Sequence, residues 1–295
     1  MNKEILTWNQ MVDKVFIDKG IHPNNNKKSK IIRMFYNTFL KDGWYYHSIY
    51  GDGIKMLEVL SGSYSFARSL DQNWRTSTAD LIPALKNNKT WAHMLQPLVN
   101  VTMKGVGVGE MFLTLAHPQA VYDSAKDLVI ENKVMECKKD QGGCLKGNEK
   151  SNHRVVDRLR RELGLAKQGK SERLEVVYQA IFELPMDKQA YFWKSLYPKF
   201  TNEQIKSLMS LNGNDINEAR FAHGVAVLHT YKNIDDFDAL LLISDEEKPN
   251  ITFIGNFKDE TFMKNNIKFT PKLWRGGDTN AVGDGYVVIS TQKAA

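Results

Sequence analysis

Apolar positions along the chain recur with two different periods, and the change between them orders the whole sequence. From Ser29 to Leu40 (SKIIRMFYNTFL), Ile31, Ile32, Met34, Phe35, Phe39 and Leu40 recur at helical spacing. Ser29 stands where an N-cap belongs, and Asp42-Gly43 ends the run. A polar stretch, Pro23 to Lys28, separates this helix from a short one before it. Ile54–Leu60, a stretch around Ala79–Leu85, and Trp91–Val99 predict further helices, so the first hundred residues read as predominantly helical. Gly105 to Gly109 (GVGVG) then forms a glycine-rich turn into a short helix, Glu110 to Ala116. Two β-rich runs follow, Asp127–Ile130 and Val134–Lys138, with Glu131-Asn132-Lys133 as a tight connection, which predicts a hairpin. His153–Leu163 is an amphipathic basic helix, and 172–210 predicts two or three more helices. The last third turns to strands at Ala239–Ile243, Asn250–Ile254 and Gly285–Ser290. The expected fold class is α+β (mixed α/β), with a central mixed sheet flanked by helices. The expected parts are a helical region over 1–100, a core over 101–260 and a β-rich tail over 261–295.

Composition narrows the class. Hydrophobic content of 42% and charged content of 25% over 295 residues are those of a globular protein with ample material for a core. No run of 18 apolar residues occurs, so no membrane-spanning helix is expected. The early acids in MNKEILTWNQMVDKVF and the lack of an apolar core there argue against a secretory signal. Cys137 and Cys144 are the only cysteines, a usage that fits a reducing compartment such as a cytoplasm. Charge is unevenly spread. Between Lys138 and Arg173 there are eleven Lys or Arg against five Asp or Glu, an excess equal to the +6 of the whole chain. Lys139, Lys146, Arg154, Arg158 and Arg161 in this block are candidate contacts to nucleic-acid phosphates. A solvated helix face is the competing reading of such a run.

The candidate chemistry lies just before that block. In Val134-Met135-Glu136-Cys137-Lys138, strand alternation puts Glu136 and Lys138 on one face and Met135 and Cys137 on the other. A carboxylate and an ammonium on one face at the end of an apolar strand suit cation binding and contact with a water or phosphate. Across the tight connection, the start of the first strand lies beside the end of the second, so Asp127 approaches Glu136. Two acids so placed repel unless a cation lies between them, and Mg²⁺, with Mn²⁺ as substitute, suits hard oxygen ligands. Glu110 is the first charge in an otherwise apolar helix and is expected to complete the set.

These residues resemble the PD-(D/E)XK nuclease superfamily, and look most like its bacteriophage-encoded members. The resemblance rests on Gly-Val-Gly-Glu at 107–110, Lys126-Asp127-Leu128-Val129-Ile130, and Met135-Glu136-Cys137-Lys138 before Gln141-Gly142-Gly143, about 40 residues in all. Lys126 stands where the proline that names the motif would be. The resemblance implies a restriction-endonuclease-like core, a metal held by Asp127, Glu136 and Glu110, and Lys138 assisting the water or the phosphate. It also implies a DNA substrate cleaved at its phosphodiester bonds. The rival expectation is a phage structural or DNA-handling protein that keeps the fold for assembly, with particle components or a second copy as partner. A sequence-specific restriction-type enzyme is a third.

Simpler chemistries fit less well. No Gly-Lys-Ser/Thr follows the glycine turn, so a phosphate-binding loop is not expected. Cys137, Cys144 and His153 match no usual zinc spacing, and no Gly-x-Ser-x-Gly elbow is present. The plainest alternative reads Asp127 as a turn residue and Glu136/Lys138 as a surface ion pair on an edge strand, of little energetic weight.

Overall fold

The computed structural model describes residues 69–77, 80, 110, 113, 120–123, 127–141, 143–147, 155–165, 174–211, 215–244, 250–272 and 286–292. The expected helices at Ser29–Leu40, Ile54–Leu60 and Trp91–Val99 lie outside these residues, as does the glycine turn. The fold is mixed α+β, with one mixed six-stranded sheet, a second sheet of three strands, and helices. Contacts divide the chain into two units. The first joins 1–139 with 237–256, and the second joins 140–236 with 257–295.

The sheet of the first unit contains β1 (Trp74–Ser77), β2 (Ala120–Asp123), β3 (Asp127–Ile130), β4 (Lys133–Lys139), β6 (Ala239–Ile243) and β7 (Asn250–Ile254), in the order β1-β7-β6-β4-β3-β2. β2, β3 and β4 form an antiparallel meander. β6 then returns parallel to β4, which requires the long crossover between them. All five residues of β6 (ALLLI) are buried, as a continuous apolar run in a strand covered on both faces should be. The β4–β6 pairing starts from Asp238, whose Oδ2 accepts from Val134 N at 2.9 Å while its own N–H donates to Val134 O at 2.8 Å. At the other edge Trp74 stacks on Phe253, with centroids 4.8 Å apart and planes 9° from parallel.

The predicted hairpin is present, with a shorter connection than expected. Ile130 pairs with Lys133, which leaves only Glu131-Asn132 as the turn. Both turn residues have positive φ, 51° and 65°, the requirement of the two-residue turns whose twist matches antiparallel strands. Three strands arise where none was expected. Trp74–Ser77 lies in the region read as helical, Ala120–Asp123 precedes the hairpin, and Gly143–Lys146 takes the place of a glycine-rich loop.

In the second unit, β5 (Gly143–Lys146), β8 (Ile267–Lys272) and β9 (Tyr286–Thr291) form an antiparallel sheet in the order β5-β9-β8. Its helices are α1 (Val155–Leu163), α2 (Leu174–Phe182), α3 (Met186–Leu196), α4 (Asn202–Met209), α5 (Ile216–Asp235) and α6 (Glu260–Asn266). α4 begins with a capping box between Thr201 and Gln204, and α5 is capped by Asp215, whose carboxylate accepts from Asn217 N and Glu218 N. α5 packs closely on the sheet at Gly224. A Cβ there would come within 2.0 Å of the Phe269 ring, so only glycine fits. Trp193, Tyr178 and Tyr197 are fully buried around His223, and the buried Phe200 stacks on Tyr197. Asp140, also buried, accepts hydrogen bonds from the Thr291 N–H at 2.7 Å and from the Thr291 hydroxyl. No helix among the described residues is long and apolar enough to cross a membrane.

Candidate active site

Alternation along β4 works as its sequence implies. Met135 and Cys137 are buried toward one face, and Glu136 and Lys138 project together from the other. Lys138 Nζ donates to Glu136 Oε1. The edge-strand alternative is overturned by the register: β4 lies between β3 and β6, and Glu136 is only 8% exposed. A carboxylate removed from water needs a countercharge close by, and Lys138, itself largely buried, supplies one.

Asp127 begins β3. The pairs Leu128↔Met135, Val129↔Val134 and Ile130↔Lys133 fix the register, and one further step sets position 127 opposite position 136. On its other side Asp127 is paired with Asp123 of β2. Three acidic positions therefore fall in one cross-strand row, on the face that carries Lys138. The side chains of Asp123 and Asp127 lie outside the described residues. Glu110 is helical and buried, at 3% exposure. Carboxylate oxygens are the donors a hard divalent cation takes, so the set fits Mg²⁺ in kind. Among the described side chains, no three acidic, histidine or cysteine groups gather tightly enough to hold a metal ion.

The same face continues across the sheet. Lys138 is in register with Leu242, Leu242 with Thr252, and Thr252 with Arg75, so one row runs through four strands. Thr252 is fully buried, and its hydroxyl has no hydrogen-bond partner among the described residues. Asp123, Thr252 and Arg75 were not singled out by the sequence. Asp123 carried a signal, an acid closing the short apolar run AVYD, whereas Thr252 and Arg75 join the face only through long-range register.

The expected phosphate contacts are less concentrated. Lys139 is exposed at the end of β4. Lys146, Arg158 and Arg161 are exposed in the second unit, on β5 and α1, and Arg158 is in an i,i+4 ion pair with Glu162 at 3.6 Å. Arg154 lies outside the described residues. Cys137 is a buried core thiol, and Cys144 is half-buried on β5. Compared with family models, curated proteins and solved structures, the chain matches none.

Proposed function

We propose that the first unit carries a metal-dependent phosphodiesterase site of restriction-endonuclease-like type, acting on DNA. The observation that carries this reading is the Glu136–Lys138 pair, buried on an interior strand with Asp127 one register step opposite. Supporting it are the buried Glu110 and a core in which a β-meander is followed, after a helical crossover, by the parallel strand Ala239–Ile243. A buried ion pair is weak in stabilising power compared with apolar packing of the same volume. Its presence in the middle of a sheet is better accounted for by chemistry than by folding.

Asp127, Glu136 and Glu110 would hold Mg²⁺. Bound there, the cation would supply an activated water and offset charge at the leaving oxygen. Lys138 orients the water for in-line attack on phosphorus, or contacts a non-bridging phosphate oxygen; the P–O bond to the leaving oxygen breaks as the new one forms. The Lys138 ammonium also offsets the charge of the Glu136 carboxylate in its buried position.

The test is incubation of the full chain with supercoiled, linear and single-stranded DNA, in Mg²⁺, Mn²⁺ or EDTA, beside Asp127→Asn. Cleavage that needs the metal and falls by several orders of magnitude in Asp127→Asn is expected. Mg²⁺ should raise the melting temperature of the wild type and leave that of Asp127→Asn unchanged. Neither cleavage nor a melting shift in the wild type would leave Glu136–Lys138 a structural pair and favour the assembly-protein reading.

A further inference from the structure

The second unit contains a groove that the candidate active site does not use. It has a volume of about 1050 Å³ and is lined by residues of β8, of β9 and of the first half of α5. Four basic side chains line it, Arg220, Lys264, Lys268 and Lys272, against two acids, Asp215 and Glu218. Both acids are occupied. Asp215 accepts from the first backbone amides of α5, and Glu218 is in an ion pair with Lys264 at 2.8 Å. Lys268 and Lys272 are exposed and take part in no ion pair among the described residues.

Alternation along β8 explains their placement. Ile267, Phe269 and Pro271 are buried, so Lys268, Thr270 and Lys272 fall on the outer side. Lysine and proline on an edge strand also guard against pairing with other chains, and this is the plainer account of the two lysines. It does not account for a large groove beside them, nor for the half-buried ring of Phe221 in its lining. Phe221 lines the groove half-buried, its ring 6.0 Å from Phe269 and within 5.8 Å of Lys264 Nζ. A basic groove with an aromatic face is the arrangement that takes a nucleic-acid strand, phosphates on the ammonium groups and a base on the ring. Lys268 and Lys272 are four strand residues apart, about 13 Å. That span matches about four nucleotides of stacked strand at 3.4 Å each.

We propose that this groove binds a single strand of nucleic acid, with Lys268 and Lys272 on its phosphates and Phe221 against a base. The proposal rests on the nucleic-acid substrate of the reading above, but is tested without cleavage. Binding of a labelled 20-nucleotide DNA strand to the full chain is followed by fluorescence anisotropy in EDTA, over a series of salt concentrations. Lys268→Glu/Lys272→Glu should weaken binding at least tenfold at low salt and lower the salt slope by about 1.4, two phosphates at 0.7 each. Lys188→Glu/Lys206→Glu, equal in charge and on exposed positions of α3 and α4, should change affinity less than threefold. Phe221→Leu, which keeps apolar contact with Phe269, should weaken single-strand binding more than duplex binding. The proposal is overturned if the groove double variant binds like the wild type, if the control double variant weakens binding equally, or if the wild type binds no strand. Because Asp127→Asn leaves the groove intact, loss of cleavage with retained binding, or the reverse, separates failure of one site from failure of the other.

Discussion

The Glu136 carboxylate is buried and accepts from the Lys138 ammonium two residues away. Lys138→Met keeps most of the side-chain volume but removes the ammonium countercharge from beside a buried carboxylate. The expected cost is about 3 kcal/mol, measured by urea unfolding at neutral pH. Glu136→Gln/Lys138→Met should recover most of it, because neither group then bears a charge. A Lys138→Met protein as stable as the wild type would show that Glu136 has another compensating group. Pairing of the two residues was legible in the sequence, since alternation along a strand is local. Their burial was not. It depends on β6, a hundred residues further on, pairing with β4, and no local pattern contains that contact.

At the scale of elements, legibility follows how local the determining force is. The hairpin was visible from two apolar runs, yet its connection was read one residue too long. Glu131 has φ 51°, a conformation that costs a residue with a Cβ about 1 kcal/mol and that gives no sign of itself in a glutamate. Glu131→Asn/Asn132→Gly supplies the residues such a turn prefers and should raise stability by about 1 kcal/mol in the same unfolding measurement. An unchanged or lowered midpoint would count against the turn geometry. α5 escaped the sequence for a different reason. Nine of its twenty residues are buried, six of them consecutive from His223 to Leu228, so its apolar positions run together with no one-sided stripe. Gly224 at its centre reads as a helix breaker, but its role is the close approach of Phe269. Helix propensity alone would make Gly224→Ala stabilising by about 1 kcal/mol. Overpacking against the ring costs about 1–3 kcal/mol and should win, with a net loss visible as a lower melting temperature.

On the scale of the whole molecule, each unit is assembled from two separate stretches of chain, 1–139 with 237–256 and 140–236 with 257–295, an interleaving that no composition shift marks. The second unit also encloses a titratable group. His223 is fully buried; Tyr178 Oη lies 2.7 Å from Nδ1 and Tyr197 Oη 2.6 Å from Nε2. A neutral imidazole has one N–H, so it donates to one phenol and accepts from the other, whereas an imidazolium would present two N–H groups and leave one phenol to turn its proton away. Burial away from water lowers the His223 pKa from 6.5 to about 3. The folded protein therefore resists a proton that the unfolded chain accepts. Stability from this residue is fully present above pH 6.5, declines as pH falls below that value, and levels off only near pH 3. At pH 5 the loss is about 2 kcal/mol. His229, half-buried and lowered by the same desolvation, adds in the same direction. Urea unfolding at pH 7, 6 and 5 reads the slope before most carboxylates titrate. His223→Gln keeps one donor and one acceptor without a titrating proton. It should be less stable than the wild type at pH 7, yet lose most of the decline between pH 7 and 5. An equal decline in both proteins would move the pH dependence away from His223 and onto groups elsewhere in the chain.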